Sequence, residues 1–246
     1  MFAPGWAASL VTLLLLPVLI WLGCWQLQRA DEKRALMAQA VQGKQQLMSL
    51  TQGNADNLPR YQHVTVTGHF DGVRQILLDN MPSTDPQHPG VPGYRVLTPF
   101  ILDSAQGNFS ILVDRGWVRG TPDRNQLPVV TVNTDVRQLQ GLMDELPRPG
   151  IRAGDAGIQS EHWPQVLNYP TIAELRSLYG NNLLSRIVLL DAEQPDGYER
   201  FWSIDIGFTP ERHIGYAVQW FGLALTLLII YLIVNIKRIE ISEERP

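Results

Sequence analysis

Cysteine is almost absent from this chain of 246 residues, which contains only Cys24. A single cysteine excludes an intrachain disulfide, and it excludes a copper carrier that depends on paired thiolates. The formal net charge is −4, and the middle of the chain contains no block of basic residues. This charge pattern argues against nucleic acid as a partner.

Common sequence motifs of catalysis are also missing. The chain has no Gly-x-Ser-x-Gly nucleophile motif, no glycine-rich phosphate loop and no His-Glu-x-x-His zinc motif. Four of the five histidines are scattered through the polar middle of the chain: His63, His69, His88 and His162. His63 and His69 fall on one predicted strand, but at ~3.3 Å per residue they lie about 20 Å apart, too far to share a metal ion. We therefore do not expect an enzyme.

Charge is absent from two long stretches near the ends of the chain. No Asp, Glu, Lys or Arg precedes Arg29, and none occurs from Ile214 to Ile236. At ~1.5 Å per residue, each stretch is long enough for the ~30 Å hydrocarbon core of a bilayer. We predict a membrane protein with transmembrane helices over residues 6–28 and 209–236, a central domain over 29–208 and a C-terminal tail over 237–246.

The first apolar stretch has a cleaved signal peptide as its alternative interpretation. Residues 1–5 carry no Lys or Arg, however, and the run from Trp6 to Trp25 exceeds the usual apolar region of a signal peptide. We favour an uncleaved anchor. The orientation stays open at this point, because Lys237, Arg238 and Arg245 favour a cytoplasmic C-terminus whereas the basic residues just after the first stretch would pull the domain inside.

The central domain is predicted to be mainly β. A helix rich in Ala, Leu and Gln is expected to continue from Arg29 to Met48, and a second helix from Ile172 to Tyr179 opens with a capping-box pattern, Thr171 and Glu174. Short β-branched and aromatic segments bounded by turn residues predict strands at Tyr61–Phe70, Gln75–Asp79, Tyr94–Leu102, Phe109–Val118, Val129–Asn133, Val136–Met143, Arg186–Asp191 and Arg200–Ile206. We expect an α+β domain with a mostly antiparallel sheet or partial barrel.

Two features of the domain allow more than one interpretation. The connections Pro82–Gly93 and Pro147–Gly157 are long, and such loops are often functional or mobile. The segment Asp114–Val118 could be a strand end in which Gly116 permits a bulge and Asp114 pairs with Arg115 or a neighbour. Alternatively, Arg115 or Trp117 could form a docking surface. Spacing alone does not separate these two interpretations.

Polar and aromatic residues collect where the two predicted spans meet the membrane surface. His213, Tyr216 and Trp220 follow at i, i+3 and i+7 on the second helix, while Trp21 and Trp25 lie one turn apart on the first, with Gln26 and Arg29 just beyond. These residues could be an aromatic belt with polar anchors. Because haem iron takes histidine as an axial ligand, His213 could equally be a metal ligand. Gln219, inside the second span, is expected to face another helix or a cavity.

Several short motifs occur in one order from the first predicted span to the second. They are residues 23–29 (GCWQLQR), 93–99 (GYRVLTP), 113–118 (VDRGWV) and the pattern His213-x-x-Tyr216-Ala217-x-x-Trp220-Phe221. Together they resemble the Surfeit locus protein 1 family of cytochrome c oxidase assembly factors in its bacterial form, whose first box is Gly-x-Trp-Gln-x-x-Arg. The resemblance covers nearly the whole chain. Gln219 departs from it, since bacterial relatives often carry Thr there.

This resemblance implies a chaperone for haem-copper oxidase assembly. It implies an inner-membrane protein with both termini cytoplasmic and a periplasmic domain, which binds or presents haem a during its insertion into subunit I. His213 matches the family's haem-associated histidine. We expect Trp25, Tyr216 and Trp220 to pack the macrocycle and Arg29 to meet a propionate. Expected partners are cytochrome c oxidase subunit I, other assembly factors, membrane lipid and, as a candidate, haem A synthase.

Two alternatives from other functional classes remain open. A scaffold could bind subunit I through the domain without handling haem, which predicts normal oxidase association and no haem spectrum. A membrane-tethered enzyme could carry a site in the Pro82–Gly93 loop. That alternative requires clustered polar residues with perturbed pKa values around the loop.

Overall fold

The computed structural model describes residues 4–103, 109–123, 126–148, 154–158, 162–202 and 207–236. Three helices and eight strands are described, in the order α1 Trp6–Gln45, β1 Met48–Ser49, β2 His63–Phe70, β3 Ile76–Leu78, β4 Gly93–Leu102, β5 Phe109–Arg119, β6 Arg137–Asp144, β7 Gln165–Leu167, α2 Ile172–Tyr179, β8 Leu183–Leu190 and α3 Pro210–Asn235. They form two compact units, Met1–Ala38 with Asp205–Pro246, and Gln39–Ile204.

The two terminal helices α1 and α3 have the length and composition of membrane spans. In each, only 11% of the most apolar window is buried within the protein. A core helix of a soluble protein would be mostly covered, so the exposed leucines, isoleucines and valines of these helices require an apolar solvent. The prediction of a membrane protein with two apolar helices flanking a β-rich domain is confirmed.

Helix α1 is a single helix of 40 residues that extends well beyond its apolar part. The predicted continuation from Arg29 is therefore correct, but the helix ends at Gln45 instead of Met48. Met48 and Ser49 leave the helix because they pair as β1 with Val64 and Thr65 of β2. The side chain of Gln62 donates to the carbonyl oxygen of Gly43 at 3.2 Å, which satisfies a carbonyl in the last turn of the helix.

Five of the strands close into a ring in the order β2, β6, β8, β5 and β4, with β4 pairing back onto β2 through Gly68–Phe70. Five of the eight strand pairings are antiparallel, and β5–β8, β1–β2 and β3–β7 are parallel. The expectation of a mostly antiparallel sheet is confirmed, and the partial barrel is in fact closed. Because the ring is closed, each of the five strands pairs with a neighbouring strand on both of its edges.

The ring encloses one hydrophobic core, and a second core lies against helix α2. Every ring strand contributes to the first core, including Val66, Phe100, Val113, Met143 and Val188, which are nearly or completely buried. Strand β2 alternates buried and partly exposed residues along its length, as a strand with one face toward a core must. The second core includes Leu97, Leu112, Leu175 and Ile187.

Helix α2 has the bounds and the capping box that the sequence predicts. The backbone amide of Glu174 donates to Thr171 Oγ1 at 3.3 Å, and the Glu174 carboxylate accepts from the backbone amide of Thr171 at 2.7 Å. Gly180 follows the helix with φ of 90°, a conformation that favours glycine. Local sequence therefore decides both ends of this helix.

One predicted strand is wrong, a second is only partly described, and two strands were missed. Residues 129–133 are not a strand, because side chains satisfy their carbonyls: Gln75 donates to Val130 and Arg115 to Thr131. Residues 200–202 lie outside any strand, and 203–206 fall outside the described residues. The two missed strands, β1 and β7, have only two and three residues, too few for a recognisable alternation.

Candidate functional site at the paired membrane helices

Helices α1 and α3 pack along a seam of residues that mostly recur every three or four positions. Polar contacts between Gly5 and Asn235, Ser9 and Tyr231, and Gln26 and His213 show that the helices run antiparallel. The seam of α1 consists of Ser9, Thr12, Leu16, Leu19, Gly23, Gln26 and Ala30. That of α3 includes Pro210, His213, Ala217, Phe221, Ala224, Tyr231 and Asn235. Such spacing is typical of helices that pack at a small crossing angle.

Gly23 allows the two helices to approach closely in the middle of the seam. A Cβ atom at this position would lie 2.5 Å from the ring of Phe221. Small residues at helix contacts in membranes serve this purpose, because packing there has little hydrophobic driving force. The glycine of the GCWQLQR segment therefore has a packing role that brings the following residues against α3.

His213 lies in this seam and is held by Gln26 from the opposite helix. The residue is only 9% exposed, and its Nδ1 lies 2.7 Å from Gln26 Oε1. An amide oxygen can only accept a hydrogen bond, so Nδ1 must carry the proton. In neutral imidazole this leaves the lone pair on Nε2, the nitrogen available for a ligand bond.

An aromatic ring also contacts His213. The ring of Phe208 meets the imidazole edge to face, with 6.2 Å between ring centroids and an interplanar angle of 67°. Within the described part of the chain, Nε2 of His213 has no hydrogen-bond partner. The histidine is thus fixed at one nitrogen and chemically free at the other.

Trp25 and Arg29 form a couple on the exposed side of α1. The guanidinium of Arg29 lies 5.6 Å from the centroid of the Trp25 ring. It also forms an ion pair with Glu32 at 2.8 Å, one turn further along the helix. Because both charged side chains are about half exposed, this ion pair contributes at most about 1 kcal/mol, and Arg29 can exchange Glu32 for another carboxylate at little cost.

Helix geometry places the Trp25–Arg29 couple and the two aromatic residues of α3 on one side of the helix pair. Trp25, Arg29, Tyr216 and Trp220 each immediately precede a seam residue of their own helix. In an antiparallel pair, equal offsets from the seam project to the same side, since a twofold axis relates the two helices. Tyr216 is 44% exposed and Trp25 is 38% exposed, so this side presents aromatic surface.

The structure thus separates the predicted site residues into two groups. His213 lies in the seam with Gln26, whereas Trp25, Arg29, Tyr216 and Trp220 lie beside it. None of these four makes a hydrogen bond or ring contact with His213 within the described residues.

Phe208 was missed because it precedes the helix and belongs to no periodic pattern. Gln219 is exposed on α3, so it does not face α1, and the expectation that it faces another helix or a cavity stays a prediction.

The other end of the helix pair is closed by polar contacts. The Asn235 side chain accepts from the backbone amide of Gly5 at 2.7 Å and donates to the Tyr231 carbonyl at 2.7 Å. The hydroxyl groups of Ser9 and Tyr231 lie 2.9 Å apart. Interhelical hydrogen bonds of this kind help to hold membrane helices together. The site around His213 is therefore built on a helix pair that is joined at both ends.

Arg115, in the β-rich unit, is a structural residue and not part of a docking surface. It is 1% exposed and donates from Nη1 to Gln75 Oε1 at 2.9 Å and from Nε to the Asp196 carbonyl at 2.7 Å. Burial lowers the pKa of its guanidinium. Trp117 is also buried and donates to the Met81 carbonyl at 2.8 Å. The docking interpretation of this segment is wrong.

The bulge interpretation of the same segment is confirmed. Between Asp114 and Trp117, strand β5 contains one more residue than β4 does between Leu97 and Arg95, and Gly116 has φ of 109°. Asp114 is completely buried and pairs with Arg95 on β4, so its partner is the neighbouring strand instead of Arg115. Burial raises the pKa of this carboxyl.

The remaining histidines and the Pro82–Gly93 loop do not form a catalytic cluster. His63 pairs with Asp191 at 2.5 Å, and His88 lies 3.3 Å from Asp85 within the loop. A hydrogen bond from the Gln87 backbone amide lowers the pKa of Asp85, an effect of the local turn. No group of three or more His, Cys, Asp or Glu side chains that could hold a metal occurs in the described ranges.

The amino-acid sequence is similar to known proteins over most of its length. A profile of the SURF1 family matches residues 13–225, which include the greater part of both helices of the pair and all eight strands. The chain belongs to the SURF1 family. It is 28% identical to a SURF1-like protein of Rickettsia bellii (strain RML369-C) over 228 residues, covering 91% of this chain and 88% of the relative. It is 29% identical to a SURF1-like protein of Rickettsia felis (strain ATCC VR-1525 / URRWXCal2) over 235 residues, covering 92% and 95%.

Family membership confirms the resemblance that the sequence motifs indicate. SURF1 proteins are cytochrome oxidase assembly factors and are not a family of catalytic enzymes. The matched region includes Gln26 and His213, the two residues of the interhelical hydrogen bond. A role in oxidase assembly at a membrane therefore follows from the family and from the two apolar helices.

Proposed function

We propose that this protein holds haem a in a shallow site formed by its two membrane helices and presents it to cytochrome c oxidase subunit I during assembly. The proposal rests on the hydrogen bonding of the two ring nitrogens of His213. Its Nδ1 is satisfied by Gln26 at 2.7 Å, while Nε2 has no partner among the described residues. Metal-ligating histidines have this arrangement, in which the second nitrogen is hydrogen-bonded to an orienting group.

Haem a is cargo in this proposal, and the protein supplies its binding groups. His213 ligates the iron through Nε2, and Trp25, Tyr216 and Trp220 provide aromatic surface for the macrocycle. Arg29 meets a propionate, because a guanidinium can donate two parallel hydrogen bonds to a carboxylate. The weak exposed ion pair with Glu32 is the only interaction of Arg29 with a carboxylate in the described residues that must be given up.

The proposed topology places the β-rich unit in the periplasm and both termini in the cytoplasm of a cell with an inner membrane. His213 then lies near the outer leaflet, at the start of α3. An isoprenoid tail on the cargo would extend into lipid along the exposed leucine and isoleucine side chains of the helix pair. This protein acts without turnover of a substrate, and subunit I, other assembly factors and haem A synthase are its proposed partners.

The ligand assignment can be tested on the full-length protein purified in detergent from cells that make haem A. We expect a haem spectrum that is lost in His213→Ala and retained in His88→Ala. His88 is a suitable control because it is half exposed in a loop of the β-rich unit. An unchanged haem content in His213→Ala would show that this histidine is not the ligand.

The partner assignment needs a second measurement on the same material. We expect subunit I to copurify with the wild-type protein together with a chromophore identified as haem a. Association with subunit I in the absence of any haem spectrum would favour a haem-free scaffold instead. That outcome would refute the haem proposal and leave the role in oxidase assembly intact.

A further inference from the structure

We infer that Gln26 is a positioning residue that sets the tautomer of His213 and so presents Nε2 for ligation. This inference rests on the proposed haem site for its functional meaning, but the contact itself exists in the protein without cargo. Gln26 comes from α1 and His213 from α3, so two different helices must be correctly paired for the contact to form.

The Gln26 side chain is the local group that can accept a hydrogen bond from His213 Nδ1. The backbone carbonyls of α1 at this level are used in the helix, which runs without interruption from Trp6 to Gln45. The other side-chain hydrogen bonds along the seam of the described residues involve Gly5, Ser9, Tyr231 and Asn235, which lie at the opposite end of the helix pair. A neutral histidine side chain without a partner carries its proton preferentially on Nε2. Loss of the amide acceptor would therefore move the proton to Nε2 and leave Nδ1, the nitrogen that faces the seam, unprotonated.

An amide is also a suitable hydrogen-bond acceptor for a histidine that ligates iron only temporarily. A carboxylate at this position would strengthen the histidine as a donor to iron, as it does in permanent metal sites. It would also place an uncompensated negative charge at a membrane helix, which is costly. A neutral acceptor orients the imidazole with a weaker effect on its basicity. We therefore expect Gln26 to favour binding that can be reversed when the cargo is passed on.

The first experiment measures the tautomer of His213 directly in the full-length protein without haem. In detergent or nanodiscs, ¹⁵N-histidine NMR of the wild type should show the proton on Nδ1, with the signal assigned by its loss in His213→Ala. Gln26→Met keeps the length of the side chain but removes the acceptor, so the proton should move to Nε2. Gln26→Glu restores an acceptor and should return it to Nδ1.

The matched control is Gln28→Met, an exposed position two residues further along the same helix. It should leave the His213 signals unchanged. A wild-type proton on Nε2, or an unchanged tautomer in Gln26→Met, would overturn the inference. A merely structural role for Gln26 would change helix stability in both Gln26 variants without this reversal by Glu.

The second experiment measures haem in the same set of variants. Loss of an orienting partner typically weakens metal affinity by about 10–100-fold, and we expect Gln26→Met to fall in this range. Gln26→Glu should bind at least as tightly as the wild type and release haem more slowly, with a higher iron–histidine stretching frequency. Wild-type affinity in Gln26→Met would refute the positioning role alone, whereas absence of haem from the wild type would refute the proposed function and leave the tautomer result valid.

Discussion

Replacing Arg95 by Met removes the cationic partner of a carboxylate that is completely buried. Asp114 is 0% exposed and Arg95 is 23% exposed at its side chain, so water can replace little of the lost interaction. After the substitution, the Asp114 carboxylate would keep the hydrogen bond from the backbone amide of Gly116 at 3.0 Å. Breaking a buried ion pair by removing one partner costs about 3–5 kcal/mol, and we expect a loss of this size at neutral pH.

The pH dependence of this loss has a definite sign. Burial raises the pKa of Asp114 in the folded protein above its usual value of 3.8, and removal of Arg95 should raise it further. A carboxyl with a raised folded pKa contributes stability that is fully present below its unfolded pKa and is lost as the pH rises through the folded pKa. The destabilisation by Arg95→Met should therefore shrink as the pH is lowered from 7 toward 4.

Hydrogen exchange of the β4 and β5 amides in the full-length protein would measure this free energy in the β-rich unit itself. Arg148→Met is the matched control, since Arg148 pairs with Glu145 at 3.1 Å but is 79% exposed, and it should cost less than about 1 kcal/mol. The double variant Arg95→Met with Asp114→Asn should recover much of the loss because no charge stays buried. Equal effects of Arg95→Met and Arg148→Met, or a loss that grows toward pH 4, would refute the reasoning.

Two glycine substitutions test the other close contacts. Gly116→Ala should destabilise β5 by more than about 1–3 kcal/mol, because φ is 109° and the new Cβ would lie 2.6 Å from the Glu199 carbonyl oxygen. Gly53→Ala, where the Cβ meets nothing within 4 Å, should be nearly neutral by the same hydrogen-exchange measurement. Gly23→Ala should lengthen the distance between α1 and α3, measured by spin labels at Gln28 and Arg212 in a Cys24→Ser background, whereas Gly222→Ala, which meets nothing within 4 Å, should not. Unchanged spin-label distances in Gly23→Ala would contradict the close approach at Phe221.

The elements that could be predicted from the sequence are those whose signals are local. Thr171 and Glu174 begin helix α2 through their own hydrogen bonds, and the long uncharged runs have the length and composition of membrane spans. The bulge at Gly116 was also predictable, since a glycine inside a strand pattern has few other roles. Short strands such as β7 were not, because three residues carry no recognisable period.

Contacts between distant segments explain the remaining errors. Residues 129–133 have the composition of a strand, but Arg115 and Gln75 take the carbonyls that a neighbouring strand would need. The same distant contacts bury Arg115, which spacing alone could equally have placed on a docking surface. Gln219 does not face α1, because Gly23 and Phe221 set the seam on a different face of α3.

For the candidate site, the sequence by itself determined that His213 stands at the start of an apolar helix, because periodicity and the absence of charge are properties of one segment. Only the tertiary structure decided which residue it meets. Gln26 lies 187 positions away in the chain, and no local pattern relates the two. Antiparallel packing of α1 on α3 brings them to 2.7 Å and places Trp25, Arg29, Tyr216 and Trp220 on one side of the pair. The histidine's tautomer is thus a property of the packed helices and not of either segment alone.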